Sequence, residues 1–131
     1  MYKNQLLDEA RLALENSYSP YSHFRVGAAI RTDSGKIFTG TNIENVSYSL
    51  AMCAERVAVF KAISEGHRSF TDLAIASSSQ DRTFPCGACR QVLFEFSPNI
   101  RIYLEGDQKE VFRITDLLPN AFDSIKSKTI Q

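Results

Sequence analysis

The chain has 131 residues, with 15 Lys and Arg against 15 Asp and Glu, and 44% of its residues are hydrophobic. This length suits one domain with its own apolar core, and the composition is typical of a globular protein. A formal net charge of zero without a basic run argues against polynucleotide binding. No apolar run suits a bilayer-spanning helix or a signal peptide. We therefore predict a single cytoplasmic domain over residues 1–131, without a nucleic-acid or membrane partner.

Hydrophobic patterns divide the chain into alternating helices and strands. Apolar residues at helical spacing predict helices, and short runs of β-formers between turn signals predict strands. Pro20 and Pro98 each stop a helix, because the residue before a proline resists helical geometry, and Gly66 ends another. The predicted elements are, in chain order, a helix (3–16), a hairpin (24–31 and 36–40, turn 32–35), a helix (51–65), a strand (73–76), a helix (86–96), two strands (100–104 and 111–114, turn 106–107), a helical turn (116–119) and a polar, frayed tail after Phe122.

This order of elements predicts the α/β class, with one sheet and helices packed on its faces. The first two strands form an antiparallel hairpin. The later strands are separated by helices, so they can run parallel to one another.

Three cysteines are the most informative residues. Cys53 begins the run Cys53-Ala54-Glu55-Arg56, and Cys86 and Cys89 form a C-x-x-C pair after Pro85. An odd number of cysteines in a reducing compartment favours metal binding or catalysis over disulfides. Three thiolates suit zinc and leave a fourth coordination position, which holds water in catalytic zinc sites. The alternative is three buried, small apolar side chains, a common role of free cysteine.

All three cysteines are predicted at the starts of helices. Unpaired N–H groups and the positive end of the helix dipole favour a thiolate there. Three thiolates on Zn²⁺ leave an excess of negative charge, which makes a bound water less acidic. We hypothesise that Arg56 offsets this charge by donating to the sulfurs.

Glu55 is the candidate for proton transfer. On a helix it lies about 200° around the axis from Cys53, so it would not ligate readily alongside that residue. It could still reach a water on the metal and act as general base and then as general acid. The alternative is a solvated surface glutamate. His23 and His67 could add a fourth ligand, although a loop residue and a surface cation are the simpler interpretations.

Several runs outside the cysteines carry a resemblance to a known family. The runs around Cys53 and Cys86 match the three-cysteine form of the zinc-deaminase signature. Between about Ser17 and Phe122 the chain resembles the small homotetrameric cytidine deaminases. The further runs that carry this resemblance are Tyr18-Ser19-Pro20-Tyr21-Ser22, Phe24-Arg25-Val26-Gly27-Ala28-Ala29, Thr39-Gly40-Thr41-Asn42-Ile43-Glu44-Asn45, Pro85-Cys86-Gly87-Ala88-Cys89-Arg90-Gln91-Val92 and Leu117-Leu118-Pro119-Asn120-Ala121-Phe122.

The resemblance implies a three-layer α/β/α fold around a mixed five-stranded sheet. It also implies a homotetrameric hydrolase of pyrimidine salvage that acts on C–N bonds and deaminates cytidine and 2′-deoxycytidine to uridine and 2′-deoxyuridine. One zinc ion per subunit would be held by Cys53, Cys86 and Cys89. Zinc-bound hydroxide would attack C4 of the pyrimidine, with Glu55 as the proton shuttle.

The resemblance further implies a set of substrate contacts. These are Phe24 on the pyrimidine, Asn42 and Glu44 on the ribose hydroxyls, the backbone of Ala54 and Phe84 on the base edge, and Tyr48 and Phe122 supplied by neighbouring subunits. Phe84 departs from the family, in which a serine often stands before the Pro-Cys pair. Without the resemblance, residues 42–45 would be interpreted as a turn and the aromatic residues as core.

Two other functions stay open as alternatives. A blasticidin-type aminonucleoside antibiotic deaminase shares the fold and the zinc motif, but the Asn42-Ile43-Glu44-Asn45 run favours an ordinary nucleoside. A structural zinc module would need four protein ligands, whereas the sequence offers three credible ones.

Overall fold

The chain folds into a five-stranded sheet with helices on both faces. The computed structural model describes residues 2–106 and 111–123 and, in the first helix, the side chains from Gln5 onward. Asp107 of the predicted turn and most of the tail after Phe122 lie outside the described residues. The elements are α1 (Tyr2–Leu14), β1 (Val26–Thr32), β2 (Ile37–Thr41), a 3₁₀-helix (Tyr48–Leu50), α2 (Ala54–Ser64), β3 (Phe70–Ser77), α3 (Gly87–Phe96), β4 (Arg101–Leu104), β5 (Val111–Arg113) and α4 (Ile114–Leu117).

The sheet is mixed, with the strand order β2-β1-β3-β4-β5. Strand β1 pairs antiparallel with both β2 and β3, and β5 pairs antiparallel with β4. Strand β4 runs parallel to β3, which requires a crossover that α3 supplies. The predicted hairpin and the predicted parallel arrangement of strands separated by a helix are both confirmed.

Two hydrophobic clusters show that the fold has three layers. On one face of the sheet, Leu6 and Ala10 of α1 pack against Ala29 of β1. On the other face, Ala58 of α2 and Leu93 of α3 pack against the opposite side of the same sheet. Strand β1 is buried along its whole length because helices cover both of its faces. The predicted three-layer α/β/α fold is therefore confirmed.

Two glycines allow the helices to approach the sheet closely. A Cβ atom on Gly27 would lie 2.0 Å from the carbonyl oxygen of Ala10, so α1 could not pack on β1 at this distance. A Cβ atom on Gly40 would lie 2.3 Å from the carbonyl oxygen of Ala54. The second contact holds the first turn of α2 directly against β2, which fixes the position of the cysteine before it.

Most element boundaries agree with the prediction within a few residues, but the second helix begins later than expected. Residues 51–53 are extended, because Met52 and Ile43 exchange both backbone hydrogen bonds, each 2.9 Å long. This long-range pairing outweighs the local helical pattern. Among the described residues, no helix is long and apolar enough to cross a membrane.

Candidate zinc site and substrate cleft

The three cysteines come together at the starts of two helices. Cys53 is the N-cap of α2, Cys86 is the N-cap of α3, and Cys89 lies in the first turn of α3. Their sulfurs all lie within 4.8 Å of one another. The Cys86 sulfur is 3.6 Å from that of Cys53 and 3.5 Å from that of Cys89. The predicted grouping at helix starts is therefore observed, although Cys53 and Cys86 cap their helices instead of lying inside them.

The sulfur geometry fits a zinc ion. A Zn–S distance of about 2.3 Å in a tetrahedral site places neighbouring sulfurs about 3.8 Å apart, close to the observed separations. Cys89 is buried, Cys53 is half-buried and Cys86 is exposed, so the interpretation of three buried apolar side chains is wrong. Neither His23 nor His67 belongs to the group.

Arg56 and the neighbouring thiols control the charge on the cluster. The Cys89 thiol and the Arg56 guanidinium both donate to the sulfur of Cys53, and together they lower the pKa of Cys53 to about 5. The Nη2 atom of Arg56 lies 3.5 Å from that sulfur. The same interaction with Cys53 raises the pKa of Cys89. Cys89 and Arg56 therefore favour the thiolate form of Cys53.

Glu55 is buried beside the sulfurs. Only 4% of it is exposed, so the alternative of a solvated surface glutamate is wrong. Burial raises the pKa of Glu55 to about 7, and the negative charge of Cys53 adds to this effect. A carboxyl group with a pKa near neutrality can both accept and return a proton under ordinary conditions.

A cleft of about 300 Å³ opens beside Glu55 and the sulfurs of Cys53 and Cys86. This volume lies at the lower end of the range for small-molecule sites. Five residues predicted to contact substrate line it: Phe24, Asn42, Glu44, Ala54 and Phe84. A second cleft of about 350 Å³ adjoins the first, since both are lined by Glu44 and Ala51.

Asn42 is largely occupied by hydrogen bonds within the chain. Its Oδ1 atom accepts from the backbone N–H of Val26 at 2.9 Å and from the hydroxyl of Ser17 at 2.5 Å. Its Nδ2 atom donates to the carbonyl oxygen of Phe24 at 2.8 Å. A carboxamide has two acceptor sites and two donor hydrogens, so the contacts among the described residues leave one N–H of Asn42 for a ligand.

Glu44 is also held by the chain, and it keeps its negative charge. Its Oε1 atom accepts from the backbone N–H groups of Tyr21 at 2.9 Å and Ser22 at 3.2 Å. Its Oε2 atom accepts from the hydroxyl of Ser22. The Ser22 hydroxyl is the main cause that lowers the pKa of Glu44. A carboxylate has about four acceptor sites, so the described contacts leave one of them for a ligand in the cleft that Asn42 also lines.

Tyr48 and Phe122 do not reach the sulfur cluster within one chain. Tyr48 is 78% exposed and lines the adjoining cleft, with its ring at the edge of the Tyr21 ring. Phe122 is 71% exposed, and its carbonyl oxygen accepts a hydrogen bond from Gln91. Both aromatic rings are therefore largely exposed, and neither lines the cleft beside Glu55.

Phe84 forms part of the rim of the cleft. Its ring meets the ring of Phe112 edge-on at 5.2 Å, and the guanidinium of Arg82 lies 5.3 Å from its centre. These contacts join the loop before the C-x-x-C pair to strand β5. The ring of Phe84 is therefore held in place by its contacts with Phe112 and Arg82.

Three residues that support the site were missed by the sequence analysis. Ser22 holds Glu44, and Thr83 lines the cleft and donates to the hydroxyl of Ser77 at 2.7 Å. Arg90 donates to the carbonyl oxygens of Pro85 at 2.7 Å and of Leu117 at 2.6 Å. No local pattern in the sequence indicates the role of Ser22, since its partner Glu44 is 22 positions away. For Arg90 the sequence did offer a signal, because a basic residue stands directly after the C-x-x-C pair.

Comparisons with known proteins agree with this site. The family described as "Cytidine and deoxycytidylate deaminase zinc-binding region" matches residues 2–105. The cytidine deaminase of Halalkalibacterium halodurans is 45% identical over 126 residues, which cover 93% of this chain and 95% of that protein. The crystal structure of cytidine deaminase from Burkholderia pseudomallei superposes with a TM-score of 0.88 at 43% identity, covering 93% of this chain and all of that one.

These matches decide the family. The fold and the three-sulfur site are those of a zinc-binding deaminase, and the chain belongs to the cytidine and deoxycytidylate deaminase family. A more distant relative is the blasticidin-S deaminase of Bacillus cereus. It is 31% identical over 124 residues, which cover 88% of this chain and 88% of that protein.

Proposed function

We propose that this protein is a cytidine deaminase that hydrolyses cytidine and 2′-deoxycytidine to uridine and 2′-deoxyuridine. One observation carries the proposal: a buried glutamate lies beside three clustered thiols on the wall of a small-molecule cleft. The curated relatives that resemble the chain along nearly its whole length are named for this activity.

In this proposal Cys53, Cys86 and Cys89 hold the zinc ion. Zinc, when bound, supplies a Lewis acid that makes a water nucleophilic near neutral pH. Arg56 donates to the sulfur of Cys53 and so withdraws part of the negative charge that three thiolates would place on the ion. The helix starts that carry the cysteines act in the same direction.

Glu55 moves the protons of the reaction. Its carboxylate accepts a proton from the attacking water and delivers it to N3 of the pyrimidine, which makes C4 more electrophilic. Once the water oxygen has bonded to C4, Glu55 takes the remaining hydroxyl proton and passes it to the exocyclic amine. The C4–N bond then breaks, ammonia leaves and the C4 carbonyl forms. A pKa raised towards neutrality by burial suits both directions of transfer, because neither protonation state is strongly favoured.

The remaining cleft residues orient the nucleoside. We propose that the ring of Phe24 packs on the pyrimidine and that the backbones of Ala54 and Phe84 bind its edge. The free N–H of Asn42 and the free acceptor site of Glu44 can respectively donate to and accept from a ribose hydroxyl. Polar groups that a wrong ligand would leave unpaired give strong discrimination.

We further propose a homotetramer whose active sites are shared between subunits. The exposed rings of Tyr48 and Phe122 support this arrangement, because neither lines the cleft beside Glu55 in its own chain. The unit of function would be one catalytic domain over residues 1–131 in the cytoplasm, where thiol ligands stay reduced, and its role would be pyrimidine salvage.

The test combines metal analysis with a nucleoside assay. We expect about one zinc per chain and a loss of cytidine absorbance when the protein is added. Blasticidin S is the second substrate to assay, because one curated relative is named for it. Turnover of blasticidin S without turnover of cytidine would favour that alternative. Bound zinc with neither activity would favour a structural zinc module.

A further inference from the structure

We propose that Ser22 is a positioning residue, which fixes Glu44 and Phe24 relative to each other and thereby determines how tightly the sugar hydroxyls of the substrate are held. The inference rests on the proposed function and adds to it a residue that touches neither the metal ligands nor Glu55. Ser22 lines the adjoining cleft, and it contacts two residues that line the cleft beside Glu55, Phe24 and Glu44.

The hydroxyl of Ser22 links two walls of the cleft. Its hydrogen is donated to Oε2 of Glu44, and its oxygen accepts from the backbone N–H of Phe24 at 3.0 Å. A hydroxyl has one donor hydrogen, and here that hydrogen is committed to the carboxylate. Replacing the hydroxyl removes both contacts at once, so the hydrogen-bonded link from Glu44 to the backbone of Phe24 through this side chain is lost.

The Ser22 hydroxyl controls the oxygen of Glu44 that the backbone does not hold. Oε1 is fixed by the N–H groups of Tyr21 and Ser22, whereas the described contact to Oε2 is the hydroxyl. Without it, the carboxylate is held through Oε1 alone, so small rotations of the side chain can change the direction of Oε2. The acceptor site that faces a ligand would then lose its fixed direction.

The backbone around Ser22 is bent to make this contact. His23 adopts a left-handed conformation with φ of 60°, which is uncommon outside glycine. Its N–H donates to the carbonyl oxygen of Ser19 at 3.0 Å, which closes the turn. The turn brings the N–H of Phe24 back to the Ser22 hydroxyl two positions earlier, so the aromatic ring and the carboxylate are oriented by one compact loop.

The experiment compares Ser22→Ala with wild type on two substrates, cytidine and 2′,3′-dideoxycytidine, which lacks both secondary hydroxyls. For cytidine we expect KM to rise about tenfold with kcat nearly unchanged, the effect of one hydrogen bond to a charged group. For dideoxycytidine we expect a clearly smaller loss, because Glu44 has no hydroxyl to accept from and only the hydrogen bond that supports Phe24 is missing. Ser22→Thr, which keeps a hydroxyl, should restore KM for cytidine.

Two further variants separate positioning from general damage. Ser64→Ala is the matched control, since the Ser64 hydroxyl donates to the carbonyl oxygen of Lys61 within α2, and it should leave both substrates unaffected. In a Glu44→Ala background, Ser22→Ala should add little to the loss on cytidine, because the coupled partner is already gone. Equal losses on both substrates, or fully additive losses in the double variant, would overturn the role of Ser22.

These outcomes stand apart from the test of the proposed function. A wild-type protein that does not turn over cytidine refutes the proposed function itself. A wild-type protein that is active, with a Ser22→Ala loss that ignores the sugar hydroxyls, refutes only the positioning role.

Discussion

The Nη2 atom of Arg56 lies 3.5 Å from the sulfur of Cys53, three positions earlier in the chain. Residues at this spacing face the same side of a helix, so the N-cap cysteine and the arginine meet over the first turn of α2. The contact with Cys53 is the main cause that raises the pKa of the Arg56 guanidinium. The arginine therefore remains charged beside the sulfurs at every pH of interest.

Replacement of Arg56 by alanine should shift the pH dependence of activity. Without the donated hydrogen bond, more negative charge remains on the sulfurs and the activated water becomes less acidic. We expect the pH at which kcat/KM rises to move up by about one unit. Arg56→Lys keeps a positive charge and should shift less. An unchanged pH profile in Arg56→Ala would show that the arginine has no such role.

Replacement of Glu55 by glutamine should remove the proton shuttle while keeping the fold. Glutamine has a similar shape but cannot accept or return the proton, so we expect kcat to fall by about 10²–10⁴-fold. Zinc content, measured by metal analysis, should stay the same. Glu65→Gln is the control, because Glu65 lies exposed at the other end of α2 and pairs with Lys36 on the surface. Near-normal turnover by Glu55→Gln would contradict the mechanism.

The stability of the metal-free protein should depend on pH through Glu55. Burial raises the pKa of this carboxyl from 4.5 to about 7, so the folded state favours the protonated form. The stabilisation of the folded state that comes from this protonation preference of Glu55 is fully present below pH 4.5 and is lost as the pH rises through 7. Glutamine has no charge to bury. The free energy of unfolding of Glu55→Gln relative to that of wild type should therefore increase over this pH range, by about 3 kcal/mol at most.

Urea unfolding at pH 5 and pH 8 measures this difference in the free energy of unfolding. Glu65→Gln again serves as the control, since Glu65 is exposed. A difference between wild type and Glu55→Gln that is the same at both pH values would mean that Glu55 does not titrate inside the fold.

Phe84 should limit the size of the substrate. Its ring stands on the rim of the cleft and is braced by Phe112 and Arg82. In Phe84→Ser we expect the ratio of kcat/KM for blasticidin S to that for cytidine to increase about tenfold or more, the usual scale for a change of pocket size. Phe112→Leu, which loosens the ring without opening the rim directly, should change the ratio less. A ratio that does not move would place size selection elsewhere.

The layer architecture and the candidate metal ligands follow from patterns that are local in the chain. The helical stripe of α1, the hairpin turn at residues 32–35 and the glycine after α2 each depend on neighbouring residues, and the structure contains all three features. The C-x-x-C pair likewise places two thiols in one helix turn without help from the rest of the fold.

The effects of pairing between segments far apart in the sequence were less predictable. The predicted start of the second helix was three residues early, because the pairing of Met52 with Ile43 holds the segment before Cys53 extended. The strand predicted at 73–76 extends over Phe70–Ser77, since β1 and β4 pair with it on either side. Hydrogen bonds to partners far along the chain leave no periodic signal in the sequence.

The sequence by itself determined the functional groups of the site: three thiols, a carboxylate two positions after the first of them, and an arginine one position further. Only the tertiary structure decided the environment of these groups. It buried Glu55, it brought Cys53 to the C-x-x-C pair, and it left Asn42 and Glu44 with one free donor and one free acceptor. The physical reason is that burial, pKa and free hydrogen-bonding capacity depend on atoms contributed by distant segments. The type and spacing of the ligand residues, in contrast, can be read directly from the sequence.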